Sequence, residues 1–316
     1  HLEDLWGEMQ TLMDAGITVT PENFRISDRA TIVFPFHKAQ DCLEEERLRD
    51  AKYGSTRRGI APVYSDKYQK KTVMMGELRH MDKLEKRLTG ILEWKNLTIE
   101  KVYGAEGYKL ADMMQWLRTW GEKLLPYICD TGAFLRQAQR DGKHILFEAQ
   151  LGALRDLDYG IYPYTSSSTC LAAYAPIGAG APGCHVDRAV GIVKAYSSCV
   201  GPVDLVATRY GVAVQGATEL ALTKMDILSY MDQIPICAHY MLNGAQTDEF
   251  PFPSELADAT PVITYMPGWK CDISGVREYD KLPKEARNYV EYLERELGCP
   301  ITYVSVGAER ESLILR

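Results

Sequence analysis

Stretches with the composition of β-strands alternate with amphipathic helical patterns along most of this chain. The helical patterns are clearest at residues 110–124, where apolar residues recur at i, i+3, i+4 and i+7, and at 282–297, which precede Gly298. This alternation is typical of an α/β fold, in which helices flank a large, mostly parallel central sheet. The predicted strands cover residues 30–34, 144–148, 189–196, 220–223, 234–239, 261–265 and 301–306. Because we identify no internal repeat or long linker, we expect a single domain over residues 1–316.

The composition excludes several classes of protein. The 316 residues carry a formal net charge of −7, whereas general nucleic-acid binding needs a broad positive surface. No apolar run reaches the roughly 18 residues that are needed to span a bilayer. We therefore expect neither a nucleic acid nor a membrane as a partner. The eight cysteines are scattered singly without a C-x-x-C pair, which argues against a zinc module or a disulfide framework and fits the reducing cytoplasm.

A basic loop stands out from this acidic background. Residues 54–67 read GSTRRGIAPVYSDK, and further lysines follow at positions 70 and 71. Backbone amides freed by glycine, hydroxyl donors and guanidinium groups together suit a phosphate. The alternative interpretation is a solvated basic loop that binds no ligand.

A second motif has the residues needed to recognise guanine. Residues 219–228 read ELALTKMDIL, which is a predicted strand, then Thr-Lys-Met-Asp, then a helical turn. The carboxylate of Asp226 can accept hydrogen bonds from the guanine N1–H and exocyclic amine, a pair of donors that adenine lacks. The alternative is that Asp226 only caps a helix. Residues 305–307 follow the last predicted strand and could close over a base at the carboxyl edge of the sheet.

The glycine-rich loop that cradles the γ-phosphate in many nucleotide-binding proteins does not occur in this sequence. No G-x-x-x-x-G-K-[ST] pattern is present, and the chain opens at His1 with residues that read like the middle of a helix. We therefore expect an N-terminally truncated sequence. Either this chain does not hydrolyse GTP, or the phosphate loop lies in the missing part.

Four segments, in order along the chain, resemble the adenylosuccinate synthetase family. The loop at 54–67 follows the family signature G-(S/T)-T-x-(K/R)-G-I-x-P-x-Y-x-x-K. The other segments are residues 147–168, residues 193–201 together with 222–227, and residues 267–310. The resemblance implies a nucleotide site similar to that of P-loop GTPases, on the α/β fold described above.

The resemblance also assigns residues to each substrate. Those that match IMP-binding positions of the family are Ser55, Thr56, Lys70, Gln150, Ser166, Val200 and Gly201. Those that match its GTP-binding positions are Lys224, Met225, Asp226, Ser305, Val306 and Gly307. Lys67 matches the lysine that ends the signature and is the catalytic candidate of this chain. The family's purine-facing glutamine falls on Leu151, so either a reshaped loop lets Gln150 serve, which we favour, or that hydrogen bond is absent.

Two parts of the family pattern have no counterpart here. The first is the N-terminal region with the catalytic aspartate and histidine, where we also expect the Mg²⁺ ligands; no metal ligand is identified in this chain. His37 and His144 are expected to be structural. The second part is a long insertion with an arginine-rich loop that grips aspartate and GTP, and we expect an internal gap at 201–202 in its place. Lys70 stands where the family has an arginine that reaches IMP in the neighbouring subunit, which implies a homodimer.

The reaction implied by the resemblance is the GTP-dependent ligation of IMP and L-aspartate to adenylosuccinate, GDP and phosphate through a 6-phosphoryl-IMP intermediate. This is the first committed step from IMP to AMP. Two alternatives remain open. One is the same chemistry on another purine nucleotide such as dGMP, and the other is a non-catalytic guanine-nucleotide-binding module.

Overall fold

The computed structural model describes residues 1–197 and 201–316, and its contacts divide the chain into two compact units. The expectation of a single domain over residues 1–316 stays a prediction. The first unit consists of His1–Phe147, Ser166–Ser168 and Pro176–Cys184, and the second unit consists of Glu148–Thr165, Thr169–Ala175 and His185–Arg316.

The helices and strands are numbered in chain order. The α-helices are α1 (Leu2–Asp14), α2 (Pro35–Leu48), α3 (Ile60–Tyr68), α4 (Met81–Leu97), α5 (Leu110–Leu124), α6 (Thr131–Arg140), α7 (Ala175–Gly178), α8 (Leu205–Gln215) and α9 (Lys284–Leu297). The strands are β1 (Ile26–Ser27), β2 (Ile128–Cys129), β3 (Val190–Lys194), β4 (Tyr196–Ser197), β5 (Gly201–Asp204), β6 (Glu219–Thr223), β7 (Gln233–Leu242), β8 (Ala245–Thr247), β9 (Thr260–Pro267), β10 (Ile301–Ser305) and β11 (Leu313–Leu315). Among the described helices, none combines the length and apolar character that crossing a membrane requires.

The first unit is mainly helical, and the strand predicted at residues 30–34 is wrong. Only Thr31 pairs there, in a single antiparallel bridge with Met74. Ile32 and Phe34 are nevertheless buried, in a core shared with α1, α4 and α5. A short apolar run can fill a helical core as well as a sheet, so its composition alone does not decide between them.

The strand predicted at residues 144–148 is also wrong. These residues form no regular secondary structure, and the side chain of Leu146 is 93% exposed. The preceding turn at Asp141 and Gly142 does form, directly after α6. The apolar residues after this turn therefore do not form the buried strand that their composition suggested.

The second unit contains a four-stranded sheet in the order β11–β10–β6–β3. Strands β10, β6 and β3 are parallel, with Val304 opposite Leu222 and Val193 on the other side of Leu222. Strand β11 pairs with β10 in the antiparallel sense. The carboxyl ends of β6 and β10 therefore lie side by side at one edge of this sheet.

A five-stranded sheet completes the second unit. Its order is β4–β5–β7–β8, and β9 pairs with the long strand β7. The β5–β7 pair is parallel, whereas β4–β5, β7–β8 and β7–β9 are antiparallel. The α/β class is confirmed, and the described strands are distributed over separate sheets.

The two helices predicted from periodicity are confirmed as α5 and α9. Helix α9 begins after Pro283 and ends at Gly298, whose φ of +63° is readily adopted by glycine. The side chains on its apolar face are buried in the core of the second unit, and they are Ala286, Tyr289, Val290, Leu293 and Leu297. This helix packs in the same core as β6 and β10, and the predicted guanine-binding residues lie at the carboxyl ends of these two strands.

Candidate functional site

The signature loop lies in the first unit, where residues 54–59 precede α3 and residues 60–67 form most of that helix. The backbone of residues 54–59 has an unusual shape. Gly54, Arg57 and Gly59 all have positive φ, at +76°, +58° and +80°. A Cβ atom on Gly59 would lie 2.8 Å from the backbone carbon of His37 and the amide nitrogen of Lys38. Glycine is therefore required at position 59 by both its conformation and this close approach.

The buried carboxylate of Asp41 holds two points of this loop. The hydroxyl of Ser55 donates to Oδ1 of Asp41 at 2.6 Å, and the backbone amide of Gly59 donates to Oδ2 at 2.8 Å. The oxygen of Ser55 also accepts a hydrogen bond from the amide of Arg57 at 3.1 Å. Both carboxylate oxygens therefore bind donors from the loop, and Ser55 organises the turn that follows it.

The side chains between the two held points are exposed. They belong to Thr56, Arg57 and Arg58. One nitrogen of Arg58 lies 3.5 Å from a carboxylate oxygen of Asp4, a surface pair of small energetic value. Within the described part of the chain, the side chains of Thr56 and Arg57 make no hydrogen bond or ion pair. A hydroxyl and a guanidinium are thus presented to solvent, as a phosphate site requires.

Lys67 and Lys70 lie near the carboxyl end of α3, and both are exposed. The ammonium of Lys67 lies 6.0 Å from the ring centroid of Tyr64. Lys70 follows the helix with a φ of +63°. Their predicted roles in catalysis and in IMP binding stay predictions.

A buried polar cluster connects α2, α3 and α4. One oxygen of Asp66 lies 2.9 Å from Nε2 of His37 and 2.6 Å from the ammonium of Lys95. Lys95 also donates to the side-chain oxygen of Gln40 at 2.7 Å. The amide of Phe34 donates to Nδ1 of His37 at 2.9 Å, so the ring proton is on Nε2 and points to Asp66.

Burial lowers the pKa values of two side chains in this cluster, His37 and Lys95. It lowers the pKa of His37 because the imidazolium is disfavoured away from water, although the hydrogen bond to Asp66 acts in the opposite direction. Burial also lowers the pKa of Lys95, again against the effect of Asp66. We conclude that His37 is neutral and structural, as the sequence predicts. Because Asp66 directly precedes Lys67, the cluster fixes the turn of α3 that carries the candidate catalytic lysine.

The remaining IMP candidates are distributed over both units. Ser166 belongs to the first unit, where its hydroxyl lies 3.0 Å from that of Ser168. Gln150 and Gly201 belong to the second unit; Gln150 is exposed, and Gly201 begins β5 with a φ of +90°. Val200 lies outside the described residues. Leu151 is 60% exposed with a φ of +76°, so both Gln150 and Leu151 are open to solvent and the choice between them stays a prediction.

The segment 153–164 in the second unit is organised by the buried side chain of Asp156. Its Oδ1 accepts hydrogen bonds from the amides of Asp158 and Tyr159, at 2.9 and 3.0 Å. Its Oδ2 accepts from the amide of Cys170 at 2.6 Å. A Cβ atom on Gly160 would lie 2.3 Å from the carbonyl oxygen of Asp156. Asp156 therefore has a structural role in the Asp-Leu-Asp-Tyr-Gly run that the sequence singled out.

The two halves of the predicted guanine site do lie together, at the carboxyl ends of β6 and β10. The amide of Met225 donates to the carbonyl oxygen of Ser305 at 3.2 Å, and the hydroxyl of Ser305 donates to the carbonyl oxygen of Gly307 at 2.8 Å. Lys224 has a φ of +62° and is half-buried, like Asp226. Within the described residues, the Asp226 carboxylate accepts no hydrogen bond. Helix capping, the alternative interpretation of this aspartate, is therefore not supported by a contact.

Two of the six predicted GTP-binding residues turn their side chains inward. Met225 and Val306 are fully buried in the core of the second unit. The amide of Val306 donates to the carbonyl oxygen of Ser312 at 3.0 Å. Both backbone amides already have partners, so these residues shape the loops rather than offering side chains to a ligand. The groups that remain open are the side chains of Lys224 and Asp226 and the backbone around Gly307.

The described residues do not fit a metal centre. No group of three His, Cys, Asp or Glu side chains lies close enough together there to hold an ion. Mg²⁺ binds through several oxygen ligands, mostly carboxylates, water and substrate phosphates. Where the Mg²⁺ ligands lie therefore stays a prediction.

Comparison with known proteins identifies the family. The sequence profile described as "Adenylosuccinate synthetase" matches residues 1–203 and 199–314. This chain belongs to the adenylosuccinate synthetase family. The resemblance seen in the signature loop and in the segments after it is thereby confirmed.

Individual members of the family match over almost the whole chain. "Adenylosuccinate synthetase 2" of Pseudoalteromonas translucida is 40% identical over 98% of this chain and 81% of its own length. The adenylosuccinate synthetase of Caldanaerobacter subterraneus subsp. tengcongensis is 36% identical over 98% of this chain and 80% of its own length. The solved structure of fully ligated adenylosuccinate synthetase from Plasmodium falciparum covers this chain completely, with a TM-score of 0.90 and 24% identity, across 82% of that protein. This last likeness shows a shared fold.

Three residues that the sequence did not single out support the adenylosuccinate synthetase signature loop. They are Asp41, Asp66 and Lys95, all buried and all hydrogen-bonded or ion-paired. Part of this arrangement has a signal in the sequence, because polar residues recur at 37, 41 and 45 with the i, i+4 spacing of one helix face. The side chains at these three positions are buried. An assignment of the buried helix face from apolar residues alone would have placed these polar side chains towards solvent.

Proposed function

We propose that this chain catalyses the reaction of its family, the GTP-dependent ligation of IMP and L-aspartate to adenylosuccinate, GDP and phosphate. The observation that carries this proposal is the family match, which covers both the signature loop in the first unit and the paired strand ends in the second. The geometry also supports it, because the signature loop presents a hydroxyl and a guanidinium to solvent and the strand ends present the carboxylate of Asp226. No described feature favours another reaction.

The chemistry requires activation of a poor leaving group. The 6-oxo group of IMP is not displaced directly by an amine, so we propose that removal of the N1 proton lets this oxygen attack the γ-phosphorus of GTP. GDP leaves, and 6-phosphoryl-IMP is formed. The amino group of aspartate then attacks C6, the C6–O bond breaks, and phosphate departs with its electron pair. The family uses Mg²⁺, which stabilises charge on the transferring phosphoryl group when it is bound.

The residues of this chain would hold the two nucleotides. On the IMP side we propose Thr56, with Lys67, Lys70 and Ser166, because their side chains supply hydroxyl donors and positive charge. Holding reactants in a productive geometry can contribute about 7–11 kcal/mol to lowering a barrier. The proton transfers are assigned to no described residue.

On the GTP side we propose that Asp226 reads the guanine base. Its carboxylate lies at the sheet edge, is half-buried and has no internal hydrogen-bond donor within the described residues. Guanine offers two donors to such a group, whereas adenine would leave it unpaired. Lys224 would place its aliphatic stem along the base, and the backbone at Gly307 would close the other side.

We also propose that the family's arginine-rich insertion is absent from this sequence at Gly201 and Pro202. The two profile matches overlap at residues 199–203, which is where a single continuous match is interrupted. The alignment with the Pseudoalteromonas relative extends over 343 positions and therefore exceeds the 316 residues of this chain. Tryptic peptide mapping of the natural protein tests this proposal, because residues 195–209 form one continuous peptide across Gly201 and Pro202 only if no segment is inserted between them.

The homodimer implied by Lys70 is a further proposal. Lys70 is exposed and follows α3 with its side chain available to a neighbouring protomer. Light scattering of the intact protein with and without IMP tests the assembly. A protein that stays monomeric while it turns over substrate would overturn the cross-subunit role.

The function is tested by an omission experiment on the intact protein expressed from its complete coding sequence. Adenylosuccinate and phosphate are measured with IMP, aspartate and GTP present, and then with each left out in turn. We expect equal amounts of both products in the complete mixture and neither product in any omission. Replacement of IMP by dGMP tests substrate choice. Binding of GTP without any product would instead identify a non-catalytic module.

A further inference from the structure

We propose that Asp41 is a positioning residue, which holds the signature loop in the shape that receives the phosphate of IMP. This inference rests on the proposed function. Asp41 lies on α2 and is only 5% exposed, so no substrate can touch its carboxylate directly. Its two oxygens accept hydrogen bonds from Ser55 and from Gly59, at 2.6 and 2.8 Å.

The two bonds hold the loop on either side of its exposed residues. Thr56, Arg57 and Arg58 lie between the points held by Asp41, and their side chains extend into solvent. Removing the carboxylate would leave the buried amide of Gly59 without its acceptor, which is costly in a protein interior. It would also free the loop to sample other shapes, so the ordering would have to occur when the ligand binds. Asp41 therefore prepares the loop for an anion that it never contacts.

This arrangement changes the role of Ser55. A hydroxyl has one proton, and that of Ser55 is donated to Asp41, while the oxygen accepts from the amide of Arg57. Ser55 thus has no proton left for a phosphate oxygen. Thr56, whose hydroxyl has no partner among the described residues, is the direct donor, and Ser55 acts through the loop.

A matched control lies one helical turn away. Glu45 is also on α2 and is 4% exposed, but its carboxylate accepts from the amide of Tyr53 at 3.3 Å, outside the segment 55–59. Changing Glu45 tests the cost of altering a buried acid on this helix face. Changing Asp41 tests the same cost and also the loss of the loop contacts.

The experiment compares D41A, D41N and E45Q in the intact protein. We expect D41A to raise the KM for IMP at least tenfold and to leave the KM for GTP within twofold of the wild type. The KM of D41N for IMP should lie between that of the wild type and that of D41A, because an amide can still accept a hydrogen bond from Gly59 and donate one to the oxygen of Ser55. E45Q should leave both KM values within twofold. An unchanged KM for IMP in a folded D41A protein would overturn the proposal; if D41A does not fold, the same comparison is made with D41N.

Double variants separate positioning from a general loss of structure. S55A should raise the KM for IMP in the wild type, but less than twofold in D41A, because the bond that it removes is already lost. T56A should retain its full effect in D41A. Full effects of both changes in D41A would contradict a shared role for Asp41 and Ser55.

Limited digestion with trypsin gives a measurement that does not depend on turnover. Cleavage after Arg57 and Arg58 under native conditions should be at least fivefold faster in D41A than in E45Q. If the wild type forms no adenylosuccinate, the proposed function fails. The cleavage rates then still test whether the contacts of Asp41 hold the loop. Equal cleavage rates would overturn the role of Asp41.

Discussion

The backbone amide of Met225 donates a hydrogen bond to the carbonyl oxygen of Ser305 at 3.2 Å, and this bond joins the loop after β6 to the last residue of β10. Lys224 and Asp226 flank Met225, and Gly307 lies two residues beyond Ser305. The parallel pairing of β6 with β10 brings both loops to one edge of the sheet, where ligands bind in open α/β folds. Two sequence motifs that are far apart in the chain thus become one candidate base-binding site.

Changing Asp226 to asparagine is expected to weaken the use of GTP. The amide would place a donor where guanine also presents one, so the KM for GTP should rise about 10- to 100-fold, which corresponds to about 1.4–2.8 kcal/mol. Xanthosine triphosphate, which carries an oxygen in place of the exocyclic amine, should become a better substrate for D226N than for the wild type. Steady-state kinetics with GTP and with xanthosine triphosphate measures this change in nucleotide preference. D258N is a suitable control because Asp258 is exposed in the same unit; equal GTP kinetics in D226N and D258N would contradict the assignment.

Alanine at Gly59 should be more damaging than alanine at Gly54. Both glycines have positive φ, which costs alanine about 1–2 kcal/mol. A Cβ on Gly59 also meets the backbone of His37 at 2.8 Å, whereas one on Gly54 meets nothing within 4 Å. Urea unfolding should therefore show a larger loss of free energy in G59A than in G54A. Similar losses in the two variants would show that the close approach to α2 is not important.

Replacing Tyr289 and Tyr240 by phenylalanine should have different effects on the free energy of unfolding. The hydroxyl of Tyr289 is buried and has no hydrogen-bond partner among the described residues, so Y289F should leave stability unchanged or raise it by up to about 1 kcal/mol. The hydroxyl of Tyr240 donates to the carboxylate of Asp204, so Y240F should cost about 1.5–3 kcal/mol. The free energy of unfolding in urea measures both. A loss in Y289F as large as that in Y240F would indicate a partner for Tyr289.

The pH dependence of stability should contain a contribution from His37. Its folded pKa lies below the ordinary value of 6.5 because of burial, so the unfolded chain binds the proton more readily. The stabilisation is complete above pH 6.5 and is lost as the pH falls towards the folded pKa, by up to about 1.4 kcal/mol per pH unit. H37Q removes this titration, so its unfolding free energy should fall less steeply than that of the wild type between pH 7 and pH 5. Parallel curves for the two proteins would contradict a buried neutral histidine.

The parts of the fold that could be predicted from sequence are those with a local pattern. Helix α9 shows its apolar face directly in the sequence, and Pro283 and Gly298 mark its ends. Strands β6 and β10 are short and apolar and are followed by polar loops, so the prediction of a site at their carboxyl ends needed no tertiary information. The signature loop was identified in the same way, because its residues are consecutive.

The parts that could not be predicted depend on packing between distant residues. The bond between Ser55 and Asp41 joins positions 14 apart, and no local rule shows that it uses the proton of the serine. The inward orientation of Met225 and Val306 follows from the core around α9. The apolar runs at 30–34 and 144–148 had the composition of strands, but composition does not show whether a neighbouring strand exists to pair with them.

The most direct measurement of the central claim follows the 6-oxygen of IMP through the reaction. IMP labelled with ¹⁸O at this position is incubated with GTP, aspartate and the intact protein, and the released phosphate is analysed by mass spectrometry. If the oxygen attacks the γ-phosphorus and later departs with it, one labelled oxygen should appear in each phosphate formed along with adenylosuccinate. Phosphate without the label, or the absence of adenylosuccinate, would contradict the account.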